Sequence, residues 1–299
     1  MLSLALVLLF TMTSVTLAQT KVLNFIWFSD GEEGRVMEDL IDRYEAENPN
    51  IEIRLIEVPY PELNQRLRTM VAGGEPPALA RITEPVGFKD VLLELNPYLD
   101  DPDGFIQQFK VPTIPYVYID GKVLGAPIDM TANGVFYNKT FFDAAGVEVP
   151  GPGDEPWTWE EWKDAMQTVV DKSPARYGMV YDFTPHRFST LIYQAGGRVF
   201  DENGQVNLNT PEVVRAIEFF VELHKDGIMP ESVWLGSENP NTLFRAGIAA
   251  MHFSGNWMLT NYRTEMGQFE WGVVPLPQDK IRSSVPGNKF VASFEGNPY

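Results

Sequence analysis

Apolar and polar positions along this chain follow two periods, and the period switches in a regular order. Lys21 to Phe28 is an apolar run rich in large residues that predicts a buried strand. Gly31 to Gly34 leads into a helical pattern with Val36, Met37, Leu40, Ile41 and Tyr44 on one face. Asn48-Pro49 stops that helix, and Ile51, Ile53 and Leu55 then alternate with Glu52 and Arg54 as a half-buried strand. A second helix over Tyr60 to Val71 turns Leu63, Leu67 and Met70 inward, closes at Gly73-Gly74 and hands over to a strand at Ala78 to Ile82. Such β-α-β units join by right-handed crossovers, so the pattern predicts a mainly parallel sheet covered by helices on both faces.

Asp120-Gly121 lies between Val117-Tyr118-Ile119 and Val123-Leu124, a two-residue hairpin signal. After Pro127 a second set begins. Ala132 to Tyr137 reads as a strand, and Thr158-x-x-Glu161 is a capping box opening a helix from Trp159 to about Lys172, before Pro174. Asn203-Gly204 marks a second hairpin. Thr210-Pro211 opens a helix carrying Val213, Val214, Ile217, Phe220 and Val221, which Gly227 closes. Asn239-Pro240 and Gly247 bracket another helix, and Ile248 to Phe253 returns to strand. The two α/β sets meet near Pro127 to Thr131, and Trp271 to Val274 is expected to return to the first. A chain that crosses between lobes more than once makes a hinge, with ligands favoured in the cleft. The expected division is a leader over 1–18, a first lobe over 19–129 to which 271–299 returns, and a second lobe over 130–270.

Composition narrows the function. At 299 residues and 44% hydrophobic, the chain is long enough to bury two cores. Its 41 acidic against 23 basic residues give a formal charge of −18, which repels phosphate backbones and excludes nucleic acid as an expected partner. Leu2 to Phe10 is apolar and uncharged, and Thr16-Leu17-Ala18 offers small residues for cleavage, so residues 1–18 read as a secretory leader. No Lys or Arg precedes the run, which is too short to span a bilayer comfortably. There is no cysteine, hence no disulfide and no thiol for a lipid anchor. A free periplasmic protein is the expected form.

Gly134 to Trp162 combines a strand ending Tyr137-Asn138, a short helix ending Ala145-Gly146 and the Thr158 capping box. Downstream come Phe244-Arg245-Ala246-Gly247-Ile248-Ala249-Ala250-Met251 and Gly255-Asn256-Trp257. Together they resemble the family 1 extracellular solute-binding proteins, maltose-binding-protein-like ligand-capturing subunits of ABC importers. The resemblance covers nearly all of residues 20 to 275. It implies a two-lobed α/β fold of the type II periplasmic-binding-protein kind, a carbohydrate ligand, ABC permease transmembrane subunits as partners, a monomer, and no cofactor or metal.

The same resemblance implies ligand-binding positions. The end of the first strand supplies Trp27 and Asp30, with Trp27 equally readable as core. The Ala72-Gly73-Gly74-Glu75-Pro76-Pro77 turn matches the family, but its usual aspartate is Ala78 here, leaving Glu84 as the nearest carboxylate or as a solvated loop acid. Asp129 at the hinge can accept hydrogen bonds from vicinal hydroxyls, and Tyr137 presents a ring and hydroxyl to the cleft or packs inward. Arg187, beside His186 at a helix start, offers a planar donor fork to a ligand or to the surface. Gly255 lets backbone approach a ligand, and Trp257 stacks on a pyranose. Trp157, Trp159 and Trp162 read as packing.

Alternatives remain at this point. A polyamine or another small polar solute would also suit a binding protein, and a secreted glycoside hydrolase would need two carboxylates across a sugar. No acid–nucleophile pair, Gly-x-Ser-x-Gly, His-Glu-x-x-His or P-loop occurs in the sequence, so no catalysis is expected. Family members usually run further than Tyr299, so the C-terminal part of the family fold is expected to be missing.

Overall fold

In the computed structural model, which describes residues 20–29 and 31–298, the chain builds two main sheets and passes between them twice. The first half runs β1 (Lys21–Trp27), α1 (Glu33–Glu47), β2 (Ile51–Glu57), α2 (Leu63–Ala72), β3 (Leu79–Ile82), α3 (Pro102–Gln107), β4 (Tyr118–Ile119), β5 (Lys122–Val123) and β6 (Ala126–Thr131). The second runs β7 (Asn133–Asn138), α4 (Lys139–Ala145), α5 (Trp159–Lys172), β8 (Tyr177–Tyr181), α6 (Pro185–Gln194), α7 (Pro211–Lys225), α8 (Glu231–Trp234) and α9 (Pro240–Arg245). It closes with β9 (Ala249–Gly255), α10 (Met258–Glu265), β10 (Trp271–Val274) and β11 (Gly287–Ala292). The hydrophobic core is likewise divided, one part around Ile26, Leu67, Ile82 and Phe290, the other around Trp159, Trp162, Met179 and Phe253.

Strand order in the first sheet is β2-β1-β3-β11-β6 and in the second β10-β7-β9-β8. β1 pairs parallel with β2 and β3, whereas β11 lies antiparallel between β3 and β6. In the second sheet β8 and β9 are parallel, and β7 lies antiparallel between β9 and β10. Each sheet is thus mainly parallel in direction, with one reversed strand. In both cases the reversed strand is the one that has just entered from the other lobe.

This places β10 against the expectation. Trp271 to Val274 pairs with Asn138 to Val135 of β7 in the second sheet, and the return to the first sheet is made by β11. The segment between them stays tied to the second lobe: Gln278 N–H donates to the Trp157 carbonyl, Ile281 N–H to that of Gln194, and the Val285 carbonyl accepts from Asn133. The sequence signal for β11, Gly-Asn-Lys-Phe-Val-Ala, is short and opens with polar residues.

Local chemistry formed most elements where expected. Thr158 accepts from Glu161 N–H while the Glu161 carboxylate accepts from Thr158 N–H, the full capping box. Asp120 and Gly121 take φ of 52° and 79°, as a type I′ hairpin between β4 and β5 requires. Asn203-Gly204 instead closes a turn with a single bridge, Phe200 to Val206. The apolar face of α1 is split: Ile41 is buried, while Val36, Leu40 and Tyr44 are 41% to 47% exposed. On α7 the buried line is Val213, Ala216, Phe219 and Leu223, and Val214, Ile217 and Val221 face outward.

Candidate functional site

The carboxyl ends of β1, β3, β6, β8 and β9 all point toward the crossing, where open α/β sheets place their ligands. Ala132 is the single residue between β6 and β7. Its N–H donates to Asn256 Oδ1 at 3.1 Å and its carbonyl accepts from Asn256 N–H at 3.0 Å, a two-bond clamp from the loop after β9. On the lobe-one side Thr131 Oγ1 donates to the Gly287 carbonyl and accepts from Lys289 Nζ, each at 3.2 Å. His186 Nε2 lies 3.0 Å from the Pro286 carbonyl, so the start of α6 touches the second crossing.

On the first lobe, Arg81 at the end of β3 is wholly buried. It donates to the Phe28 carbonyl at 2.5 Å and to Asp129 Oδ2 at 2.8 Å, and Glu33 Oε1 lies 3.8 Å away. Its guanidinium lies over the Trp27 and Phe28 rings at 4.8 and 4.2 Å. Lys289, opposite Asp129 in the β6–β11 ladder, has Nζ 3.8 Å from Asp129 Oδ1. Asp129, within β6 and three residues before Ala132, therefore has a cation on each side.

On the second lobe, Asp182 follows β8 and collects three partners from neighbouring elements. His252 Nε2 donates to Oδ1 at 2.8 Å, Ser254 Oγ to Oδ2 at 2.7 Å, and Arg187 Nε lies 3.6 Å from Oδ2. Burial alone would raise the Asp182 pKa; the hydrogen bonds of His252 and Ser254 and the charge of Arg187 outweigh it and hold it below the ordinary carboxylate value. Arg187 is 9% exposed, and its guanidinium sits 4.2 Å from the Trp257 ring centroid. Burial lowers the Arg187 pKa, while the charge of Asp182 acts to raise it. Trp257 is half-buried, and its backbone carbonyl would lie 3.8 Å from a Cβ placed on Gly31 of the first lobe.

Several expected positions take other places. Trp27 is 1% exposed, edge-on to Phe25 at 5.3 Å and under Arg81, so it backs the site from the core and cannot offer a ring face to the cleft. Tyr137 pairs with Met251 and Gly272 at the end of β7 remote from the crossing, about 13 Å along the strand from Asn133. Because β7 is the reversed strand, its first residue faces the cleft, and Tyr137 packs edge-on to Phe142 instead. Gly255 is required by Trp257: a Cβ there would lie 1.9 Å from the indole. Glu84 is exposed and accepts from Asn64 at 3.2 Å. Asp30 lies outside the described residues, as does the leader over 1–18. Asp182, His252, Ser254, Arg81 and Lys289 were not anticipated; the alternation of His252 and Ser254 on one face of a strand was the available signal.

An open depression of about 570 Å³ lies elsewhere, at the far end of the second sheet between Phe141, Phe269, Gly247 and Ile248. Its charged lining group, Arg176, is stacked on Tyr177. The polar chemistry gathers at the crossing, not there. Among the described residues no group of His, Cys, Asp and Glu is placed to hold a metal ion.

The sequence profile of the bacterial extracellular solute-binding proteins matches residues 29–293. The chain belongs to that family. Among relatives of this solute-binding family, the arabinooligosaccharide-binding protein of Halalkalibacterium halodurans is 26% identical over 204 residues, 66% of this chain and 44% of that protein. The sn-glycerol-3-phosphate-binding periplasmic protein UgpB of Escherichia coli (strain K12) is 28% identical over 288 residues, 89% of this chain and 63% of UgpB. The chain thus spans less than two thirds of the length of these curated relatives. In fold it is similar to the ABC substrate-binding protein Lmo0181 of Listeria monocytogenes in complex with cycloalternan, with TM-score 0.82, 23% identity and coverage of 94% of this chain and 72% of that one. Maltose-bound T. maritima MalE3 gives TM-score 0.76 at 22% identity, covering 92% and 73% of the two chains. The two-lobed binding-protein fold follows from these likenesses.

Proposed function

We propose that this chain is the periplasmic substrate-binding part of an ABC importer, capturing a sugar or oligosaccharide between its lobes and delivering it to the permease. The observation that carries the reading is the half-buried Trp257 ring with the Arg187 guanidinium 4.2 Å from its centroid, Arg187 being paired with Asp182, while the first lobe carries the Arg81–Asp129–Lys289 group near the end of β6. An indole contributes about 0.5–1.5 kcal/mol of ring contact beyond area burial, and each neutral hydrogen bond about 0.5–1.5 kcal/mol, so a few of each give micromolar affinity. Asp129 Oδ1, Glu33 Oε2, Asn133 Oδ1, Asn288 Oδ1 and Arg187 Nε are buried with no hydrogen-bond partner, and a polyhydroxylated ligand supplies both donors and acceptors for such atoms. Binding shifts the lobes toward their closed arrangement, because a sugar touching both lobes prefers that state. Nothing in this cycle needs a covalent step or a cofactor. The leader, export without a lipid anchor, and a monomeric state complete the proposal.

A second reading is an anionic polyol such as sn-glycerol 3-phosphate, favoured by the cationic character of the three buried Arg and Lys side chains, Arg81, Arg187 and Lys289. The same cations oppose a polyamine. The sugar reading ranks first because each of these cations has an acidic neighbour within 4 Å, which offsets its charge. Thermal unfolding against arabino-oligosaccharides, malto-oligosaccharides, spermidine and sn-glycerol 3-phosphate tests the choice. A ligand at a hundred times its Kd stabilises by about 2.7 kcal/mol, and the proposal expects this from a neutral saccharide. Stabilisation by the phosphate or by spermidine alone would overturn it.

A further inference from the structure

Behind Arg187 runs a buried polar chain that no ligand contact requires. Tyr262, on α10, is fully buried and its hydroxyl lies 2.6 Å from His252 Nδ1. His252, on β9, is also fully buried, and its Nε2 lies 2.8 Å from Asp182 Oδ1. A neutral imidazole satisfies both contacts with one tautomer, Nε2–H donating to the carboxylate and Nδ1 accepting from the phenol. Ser254, two residues on and on the same face of β9, donates to the other carboxylate oxygen. The carboxylate is thus held by donors from one strand while it faces Arg187 Nε at 3.6 Å. The guanidinium lies on the Trp257 indole, and the glycine at 255 leaves the space that ring occupies.

We propose that His252, Asp182 and Tyr262 are positioning residues for the ligand platform: through Arg187 they set the tilt of the Trp257 ring on the cleft floor. Three features of the chain carry the assignment. Every link is a direct contact in the structure, from hydroxyl to imidazole to carboxylate to guanidinium to indole. The phenol and imidazole are fully buried, so neither can meet a ligand directly. Polar groups in a dry site cost free energy unless partnered; Tyr262, His252 and Asp182 are joined by hydrogen bonds, and the carboxylate reaches Arg187 Nε by charge at 3.6 Å. Trp257 is the residue immediately before α10 and Tyr262 lies in it, so the relay closes on the helix that follows the platform. The assignment rests on Trp257 being the ring that meets ligand; the geometry of the relay does not depend on which ligand that is.

The test follows the Trp257 indole in the full chain. Among the seven tryptophans, its ¹⁵N–¹H indole cross-peak is the one lost in Trp257→Phe. His252→Leu removes the link, whereas His252→Gln keeps an amide donor for Asp182 near the place of Nε2. Tyr262→Phe deletes only the hydroxyl and covers the case in which His252→Leu does not fold. The relay predicts a displaced Trp257 cross-peak in His252→Leu, a smaller displacement in Tyr262→Phe and restoration toward wild type in His252→Gln. It also predicts at least a twofold rise in acrylamide quenching of the Trp257 fluorescence in His252→Leu. A cross-peak left in place by Tyr262→Phe, with only a lower Tm, would show that the network is structural and overturn the relay. Neither readout needs ligand, so a failed saccharide panel with a displaced cross-peak would sink the sugar reading alone.

Discussion

A methyl group at position 255 has nowhere to go while Trp257 keeps its place. Its nearest neighbours would be Cζ3 at 1.9 Å and Cη2 at 2.1 Å, far inside contact distance. Gly255→Ala therefore ejects the indole from its seat or shifts the end of β9, at about 1–3 kcal/mol of strain. The expected outcome is a saccharide affinity weakened as much as in Trp257→Ala, together with a lowered Tm; titration calorimetry and thermal unfolding of both variants check it. Position 257 was readable in the sequence as a tryptophan after a strand-ending glycine. The role of that glycine was not, because its constraint comes from a side chain two residues away that folds back over it. Trp27, readable as cleft residue or as core, takes the core place for the opposite reason. A large aromatic at a strand end looks like a cleft residue until Arg81 is seen lying over it, and Arg81 belongs to a different strand of the sheet.

At the scale of elements, α6 meets the second crossing through His186. Burial lowers the pKa of this imidazole, and the charges of Arg187 and Lys289 add to the effect against the opposing Pro286 hydrogen bond. An unfolded chain takes up the proton near the ordinary histidine value of about 6.5, whereas the folded one resists until lower pH. Between the two the unfolded state binds more protons, so stability is full above that ordinary value and is lost as pH falls through the folded pKa. Urea unfolding from neutral pH down to about 5 should show a falling midpoint, and His186→Asn, which cannot titrate, should flatten the fall; an unchanged slope would count against it. The helices and hairpins were largely legible, because the Thr158 box and the Asp120-Gly121 turn are decided by neighbours within a few residues. Strand direction was not. The resemblance left Tyr137 either presented to the cleft or packed inward, and the reversal of β7, which depends on the chain having just crossed from the other sheet, decides for packing. Asp182 and His252 stayed hidden for a related reason: β8 was not recognised as a strand, so nothing placed its end beside β9.

Over the whole molecule, the division into two α/β sets and the first crossing near residues 127–131 were visible, whereas the second crossing was misplaced by one strand. β10 stays with the second lobe, and only Gly287 onward joins the first. What unites the lobes is chemistry unlike the rest of the surface. A chain of net charge −18 buries Arg81, Arg187 and Lys289 around the crossing and meets each with a carboxylate. Such paired charges cost desolvation and hold their shape, which suits a site that must orient hydroxyls, not neutralise an ion. Isothermal titration of the wild-type chain and Trp257→Ala with the stabilising saccharide decides whether this crossing is the binding site. The expected result is saturable binding of one ligand per chain, with affinity at least tenfold weaker in the variant and its fold intact. Equal affinity in the two proteins, at equal Tm, would contradict it.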